Sequence, residues 1–171
     1  MSMIRGASYR HTNLIATDWR KLAGFYETVF GCTPVPPTRD LHGTWLERAT
    51  AVPGAHLRGV HLRLPGHGPN GPTLEIFQYD EVEPQGVPSA NRAGFAHLAF
   101  HVDDVDAAVE AVLREGGKRL GDTVDHEVPG AGMLRFAYVR DPEGNIVELQ
   151  RWGQEPGHDH RTDQEPAQMR A

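Results

Sequence analysis

A duplicated motif constrains the fold of this chain more than any other feature of its sequence. The segment at residues 10–18 is echoed at 96–104, so that His11 and His97 occupy equivalent places. Each copy later ends in an apolar run with one acid inside it, Glu75 in the first and Glu148 in the second. Because internal repeats indicate repeated structural units, the sequence predicts two related modules.

Both copies predict the same order of secondary structure. Each opens with alternating apolar and polar residues, as in a strand, and continues with apolar residues at helical spacing. Asp18 caps the first helix and Asp103 or Asp104 the second, while Gly31 and Gly117 follow the helix ends. Further strands are predicted at 44–48, 56–64 and 73–79, and at 124–128, 134–140 and 146–152. The predicted fold class is α+β, with two tandem βαβββ modules.

The domain organisation follows from these modules. A single domain is predicted at 7–152, with module one at 7–80 and module two at 95–152. The linker between them, 81–94, is rich in proline, glycine and acidic residues. Residues 153–171 contain almost nothing apolar, so we expect a flexible polar tail there.

Composition excludes several classes of function. The formal net charge is −6 and no lysine or arginine cluster occurs, which argues against a nucleic-acid partner. No apolar run approaches the roughly 20 residues of a membrane span, and the N-terminus lacks the apolar stretch of a signal peptide. Cys32 is the only cysteine, so an intrachain disulfide is excluded. We therefore expect a cytoplasmic protein that does not bind membranes.

The two acids inside apolar strands point to a metal site. An ionised carboxylate in such a strand is costly to bury unless it is paired or bound to a metal. A single strand histidine is more often structural than a ligand. If a pseudo-twofold axis relates the modules, however, His11, Glu75, His97 and Glu148 converge. Two imidazoles and two carboxylates suit one divalent ion such as Zn, Ni, Co, Mn or Fe, with positions left open for substrate.

Other side chains on the same strand faces are candidates for lining a substrate cavity. Asn13 and His101 share a face with the two histidines, and Tyr79 lies beyond Glu75 on its strand. His56 and His61 lie on opposite faces of one strand, so at most one of them faces the site.

Three stretches of sequence resemble the vicinal oxygen chelate superfamily, which includes glyoxalase I, extradiol dioxygenases and drug-resistance proteins. They run from residue 11 to 31, from 94 to 104 and from 141 to 149. The resemblance implies an incomplete, cup-shaped barrel around a metal held by His11, Glu75, His97 and Glu148. It also implies that Glu148 is the catalytic base, that a small molecule with neighbouring oxygens is the substrate, and that the protein is a homodimer.

The four-ligand set decides between members of that superfamily. Two His and two Glu resemble glyoxalase I and its isomerase relatives, so we expect a metal-dependent lyase, isomerase or epimerase that transfers a proton. The alternatives are an extradiol-type Fe(II) dioxygenase and a metal- or drug-binding resistance protein without turnover. Glyoxalase I places Arg and Asn where this chain has Ile15 and Tyr79, so the resemblance does not extend to glutathione recognition.

Overall fold

The computed structural model describes residues 3–84 and 86–153. In chain order its elements are β1 (His11–Ile15), α1 (Trp19–Phe30), β2 (Thr33–His42), α2 (Thr44–Thr50), β3 (His56–Arg63), β4 (Thr73–Tyr79), β5 (His97–His101), α3 (Val105–Arg114), β6 (Lys118–Arg119), β7 (Val124–Val128), β8 (Gly132–Arg140) and β9 (Ile146–Trp152). Residues 154–171, most of the predicted tail, lie outside the described part. None of the helices in that part is long and apolar enough to cross a membrane.

The strands form two mixed sheets, one from each half of the chain. The first has the order β1-β4-β3-β2, and the second has the order β5-β9-β8-β6 with β7 also paired to β8. The opening strand of each half runs parallel to the closing strand of that half, while the other pairs are antiparallel. The α+β fold class with two related modules and no closed barrel is thereby confirmed.

The two equivalent helices pack on their own sheets and on each other. The Asp18 side chain accepts hydrogen bonds from two backbone N–H groups at the start of α1, and Gly31 ends that helix at a φ of 68°. Asp104 caps α3 in the same way. Phe30 of the first half stacks on Phe100 of the second with ring centroids 4.1 Å apart. One apolar core therefore serves both halves.

The predicted strand at 44–48 is wrong, because these residues form α2. Gly43 precedes the helix with a φ of 105°, Leu46 is buried, and Ala51 ends the helix in a left-handed conformation. The sequence also hid β2, which carries three prolines. Prolines are tolerated there because β2 is an edge strand, paired only with β3. The two-residue strand β6 was likewise not predicted.

Two carboxylates in the β8–β9 turn join the halves. Asp141 is 2% exposed and accepts hydrogen bonds from the Tyr26 hydroxyl of α1 at 3.0 Å and from the backbone and side chain of Asn145. Burial raises the pKa of Asp141, and burial together with Asp141 raises the pKa of Tyr26 well above its ordinary value. Glu143 accepts hydrogen bonds from the side chain and backbone of Thr17 in the first half.

Gly59 sets how closely β3 approaches β4. A Cβ at this position would lie 2.1 Å from the Ile76 carbonyl oxygen and 2.9 Å from the Phe77 Cα. We expect Gly59→Ala to lower the free energy of unfolding by about 2 kcal/mol, since backbone atoms must move to admit the methyl group. Gly24→Ala is the matched control, because a Cβ on that α1 residue meets nothing within 4 Å. Urea denaturation checks both variants, and equal stability of the two would contradict the steric explanation.

Candidate metal centre

Glu75 is a buried carboxylate at the centre of the first sheet. It is 8% exposed, and its Oε1 lies 3.0 Å from His61 Nε2 and 3.4 Å from His11 Nδ1. The Asn13 side-chain amide donates to its Oε2 at 3.2 Å. Burial is the main cause that lowers the pKa of His61, so this ring is neutral at neutral pH. Three side chains from two neighbouring strands thus converge on one acid.

Glu148 occupies the equivalent place in the second sheet. Its Oε2 lies 3.0 Å from His97 Nε2, and its side chain is 14% exposed. Tyr138 lies directly opposite Glu148 on the neighbouring strand, and burial together with this acid raises the pKa of the Tyr138 hydroxyl. Tyr138 is therefore a protonated donor at neutral pH. A histidine thus contacts a largely buried glutamate in both halves of the chain.

The donor atoms suit a divalent cation. In the described part of the chain the ion-pair partners of Glu75 and Glu148 are histidines, with no lysine or arginine among them. Donor atoms at 2.0–2.2 Å from a tetrahedral ion lie about 3.3 Å from one another. The 3.4 Å and 3.0 Å separations within the two His–Glu pairs match that spacing.

The two pairs lie in separate sheets, one on β1 and β4 and the other on β5 and β9. Within residues 3–84 and 86–153, no three His, Cys, Asp or Glu side chains are already arranged as a metal site. Convergence of His11, Glu75, His97 and Glu148 on one ion stays a prediction.

Sequence reasoning missed the residues that face the two acids across the sheets. His61 on β3 lies directly opposite Glu75, and Tyr138 on β8 lies directly opposite Glu148. The signal was available, because the predicted turn at 141–145 places Tyr138 and Glu148 at equal distances from its centre. His61 was left open as one of two alternatives, and His56 is the one that faces away. His56 instead bridges Asp40 and Asp80, which raise its pKa.

A cavity of about 820 Å³ lies between the two opening strands and beside the linker. Its polar lining comes from β1, the linker, β5 and the β8–β9 turn, namely Asn13, Thr17, Glu83, His97, Glu143 and Asn145. Phe95, which is 77% exposed, and Ile15 add apolar surface. One residue of each sheet's acid cluster, Asn13 and His97, therefore borders a space large enough for a small molecule.

The other predicted lining residues lie elsewhere. Tyr79 packs against the small apolar cluster of Leu46, Ala55 and Leu57 beneath α2, because the unpredicted helix covers that end of β4. Tyr79 is not among the residues that line the cavity. His101 is exposed at the end of β5 and does not line the cavity either. Asn13 does line the cavity.

Comparisons with known proteins agree with this architecture. The family model of the Glyoxalase/Bleomycin resistance protein/Dioxygenase superfamily matches residues 8–149. A 2-epi-5-epi-valiolone epimerase from Actinomyces sp. is 32% identical over 148 residues, which is 81% of this chain and 76% of the relative.

Solved structures share the fold at low sequence identity. A glyoxalase family protein from Bacillus cereus has a TM-score of 0.75 and 17% identity, covering 88% of this chain and 97% of its own. A fosfomycin resistance protein from Listeria monocytogenes, solved with Mn(II) and sulfate, has a TM-score of 0.50 and 17% identity. It covers 89% of this chain and 95% of its own.

Proposed function

Because the chain belongs to the Glyoxalase/Bleomycin resistance protein/Dioxygenase superfamily, we propose that it is a divalent-metal-dependent lyase, isomerase or epimerase. The reaction is a proton transfer on a small oxygenated substrate. The observation that carries this proposal is a largely buried carboxylate beside a histidine in each half, in which His11 faces Glu75 and His97 faces Glu148. A buried carboxylate with only histidine ion-pair partners is stabilised by a cation.

The proposed ligands are His11, Glu75, His97 and Glu148, and the ion is Zn, Ni, Co, Mn or Fe. When bound, the ion supplies Lewis acidity that stabilises negative charge developing on a substrate oxygen. Asn13 and His97 border the cavity, so a substrate there lies beside the donors of both halves. Glu143 and Asn145 offer polar contacts to its hydroxyl or carbonyl groups.

We assign the role of base to Glu148. The Glu148 side chain is 14% exposed, and it lies beside His97, which borders the cavity. A base must lie within hydrogen-bond reach of the proton that it removes, and Glu148 lies 3.0 Å from His97, a residue of the cavity wall. The epimerase relative favours removal and return of a proton at one carbon over elimination.

Deuterium exchange tests the reaction. Protein loaded separately with Mn, Co, Ni or Zn is incubated in D₂O with 2-epi-5-epi-valiolone and with a panel of small hydroxyketones. We expect deuterium to enter one substrate carbon, because the base exchanges the proton that it removes with D₂O and returns a deuteron to that carbon. Mass spectrometry and proton NMR measure the incorporation.

Two other outcomes would contradict the proposal. Oxygen uptake with catechols after anaerobic Fe(II) loading, without deuterium exchange, would assign an extradiol-type dioxygenase. Tight metal and ligand binding without turnover across the panel would assign a binding protein.

Metal analysis tests the ligand set independently of substrate. We expect about one metal ion per chain in the wild type and almost none in His11→Ala or in His97→Ala, since each removes one donor. His126→Ala, an exposed histidine on β7, is the matched control and should keep its metal. Elemental analysis of purified protein that finds wild-type metal content in both variants would remove these residues from the ligand set.

Two further expectations stay predictions. The family resemblance favours a homodimer, and the single cysteine, Cys32, favours a reducing cytoplasm.

A further inference from the structure

The two acids have equivalent but chemically different neighbours across the sheet. His61 is the cross-strand partner of Glu75, and Tyr138 is the cross-strand partner of Glu148. His61 Nε2 lies 3.0 Å from the Glu75 carboxylate, and Tyr138 brings a hydroxyl group to the same register position opposite Glu148. The repeat therefore places a hydrogen-bond donor at the same register position in both halves.

We propose that His61 and Tyr138 are matched positioning residues that orient the two acids of the metal site, and that Glu75 is held more firmly than Glu148. This inference rests on the proposed function. Carboxylate ligands of metals are oriented by hydrogen bonds from residues behind them, and loss of such a bond weakens metal binding. His61 and Tyr138 stand in that place in this fold.

The residues paired with each acid on the opening strand of its half explain why Glu75 is held more firmly than Glu148. Asn13 on β1 is paired with Glu75, and the equivalent residue on β5, paired with Glu148, is Ala99. Both oxygens of Glu75 are thus engaged, Oε1 by two imidazoles and Oε2 by the Asn13 amide. Alanine has no side-chain donor to offer Glu148. Glu75 is fixed as a ligand, and Glu148 keeps the freedom that a base needs.

The ring of His61 is itself held in place. Its Nδ1 lies 3.3 Å from the Thr73 hydroxyl, and its ring meets Phe77 edge-on with centroids 5.7 Å apart. The Thr73 hydroxyl can donate to Nδ1, and the Glu75 carboxylate, which only accepts, favours the tautomer with its N–H on Nε2. An Nε2 that donates to a carboxylate has no lone pair left for the ion, so His61 acts through Glu75.

Cobalt titration of the full-length protein tests the role of His61. We expect His61→Ala to weaken Co(II) binding by about 10- to 100-fold, the usual cost of losing an outer hydrogen bond at a metal site. We expect His61→Gln, whose amide can still donate to Glu75, to restore most of the affinity. The visible absorption bands of bound Co(II) should keep their positions in both variants, since the ligands are unchanged.

Ala99→Asn tests the asymmetry by adding the missing amide beside Glu148. We expect kcat to fall several-fold without any loss of Co(II) affinity, because an acid that is held in place transfers protons poorly. For the His61→Ala variant described above, His126→Ala is the control, because it also removes one histidine.

The outcomes separate this inference from the proposed function. Wild-type affinity in His61→Ala would overturn the positioning role alone. Shifted Co(II) bands without rescue by Gln would also overturn it, because His61 would then be a direct ligand. An unchanged kcat in Ala99→Asn would overturn the asymmetry. Failure of the wild type to bind Co(II), Mn(II), Ni(II) or Zn(II) would overturn the proposed function itself.

Discussion

Replacing Glu148 by Gln is expected to abolish most turnover while leaving the fold intact. A positioned general base contributes about 10²- to 10⁴-fold to a proton transfer, so kcat should fall by roughly that factor. The amide matches the carboxylate in size and can still accept a hydrogen bond from Tyr138, so packing on β9 is preserved. It also loses the charge that binds a metal, so metal retention should weaken.

The measurement must separate lost chemistry from lost metal. Initial rates are therefore taken at metal concentrations that saturate Glu148→Gln, with occupancy checked by elemental analysis and fold by circular dichroism. Glu127→Gln, an exposed acid on β7, is the matched control and should keep wild-type activity. Wild-type turnover in metal-loaded Glu148→Gln would remove Glu148 from the role of base.

Local signals in the sequence were sufficient for most of the fold. Helix α1 begins after Asp18 and ends before Gly31 as predicted, because an N-cap and a left-handed glycine are local signals next to the helix ends. The predicted strands at 73–79, 124–128 and 146–152 match β4, β7 and β9. Local patterns failed where tertiary contacts decide. The prolines of β2 are typical of a loop, so this strand was not predicted. The short helix α2 is stabilised by the burial of Leu46, which no local pattern indicates.

In the candidate site, too, local signals indicated some residues, while others depend on strand register and tertiary contacts. His11, Glu75, His97 and Glu148 could be proposed as ligands because the repeat marks them and because an acid inside an apolar strand is conspicuous. His61 could not be chosen over His56 from periodicity alone, since a strand has two faces and the register selects one of them. The packing of Tyr79 against the cluster that contains Leu46 could not be foreseen, because nothing local in the sequence indicates α2.

Removal of the Asp141 carboxylate is expected to give the largest loss of stability among the proposed variants. This side chain is 2% exposed and accepts hydrogen bonds from the Tyr26 hydroxyl, the Glu143 backbone and two N–H groups of Asn145. Each buried donor left without a partner costs about 1–3 kcal/mol. We therefore expect Asp141→Ala to lower the free energy of unfolding by at least about 3 kcal/mol.

Tyr26→Phe gives a milder test of the same network. The Tyr26 side chain is 0% exposed, and its replacement removes one hydrogen bond while leaving Asp141 its bonds to the turn. The expected loss is about 1 kcal/mol, the usual net worth of one buried hydrogen bond. Asp122→Ala, an exposed acid before β7, is the control and should stay within about 0.5 kcal/mol of wild type.

Urea denaturation of these three variants measures whether the turn joins the halves. Tyr26 lies on α1 of the first module, and Asp141 follows β8 of the second. Their hydrogen bond therefore links the two modules. If the halves unfold as one unit, Asp141→Ala shifts a single transition to lower urea and keeps its slope. A loss below about 1 kcal/mol in Asp141→Ala would contradict the proposed linkage. The stacked rings of Phe30 and Phe100 would then be the main join between the halves.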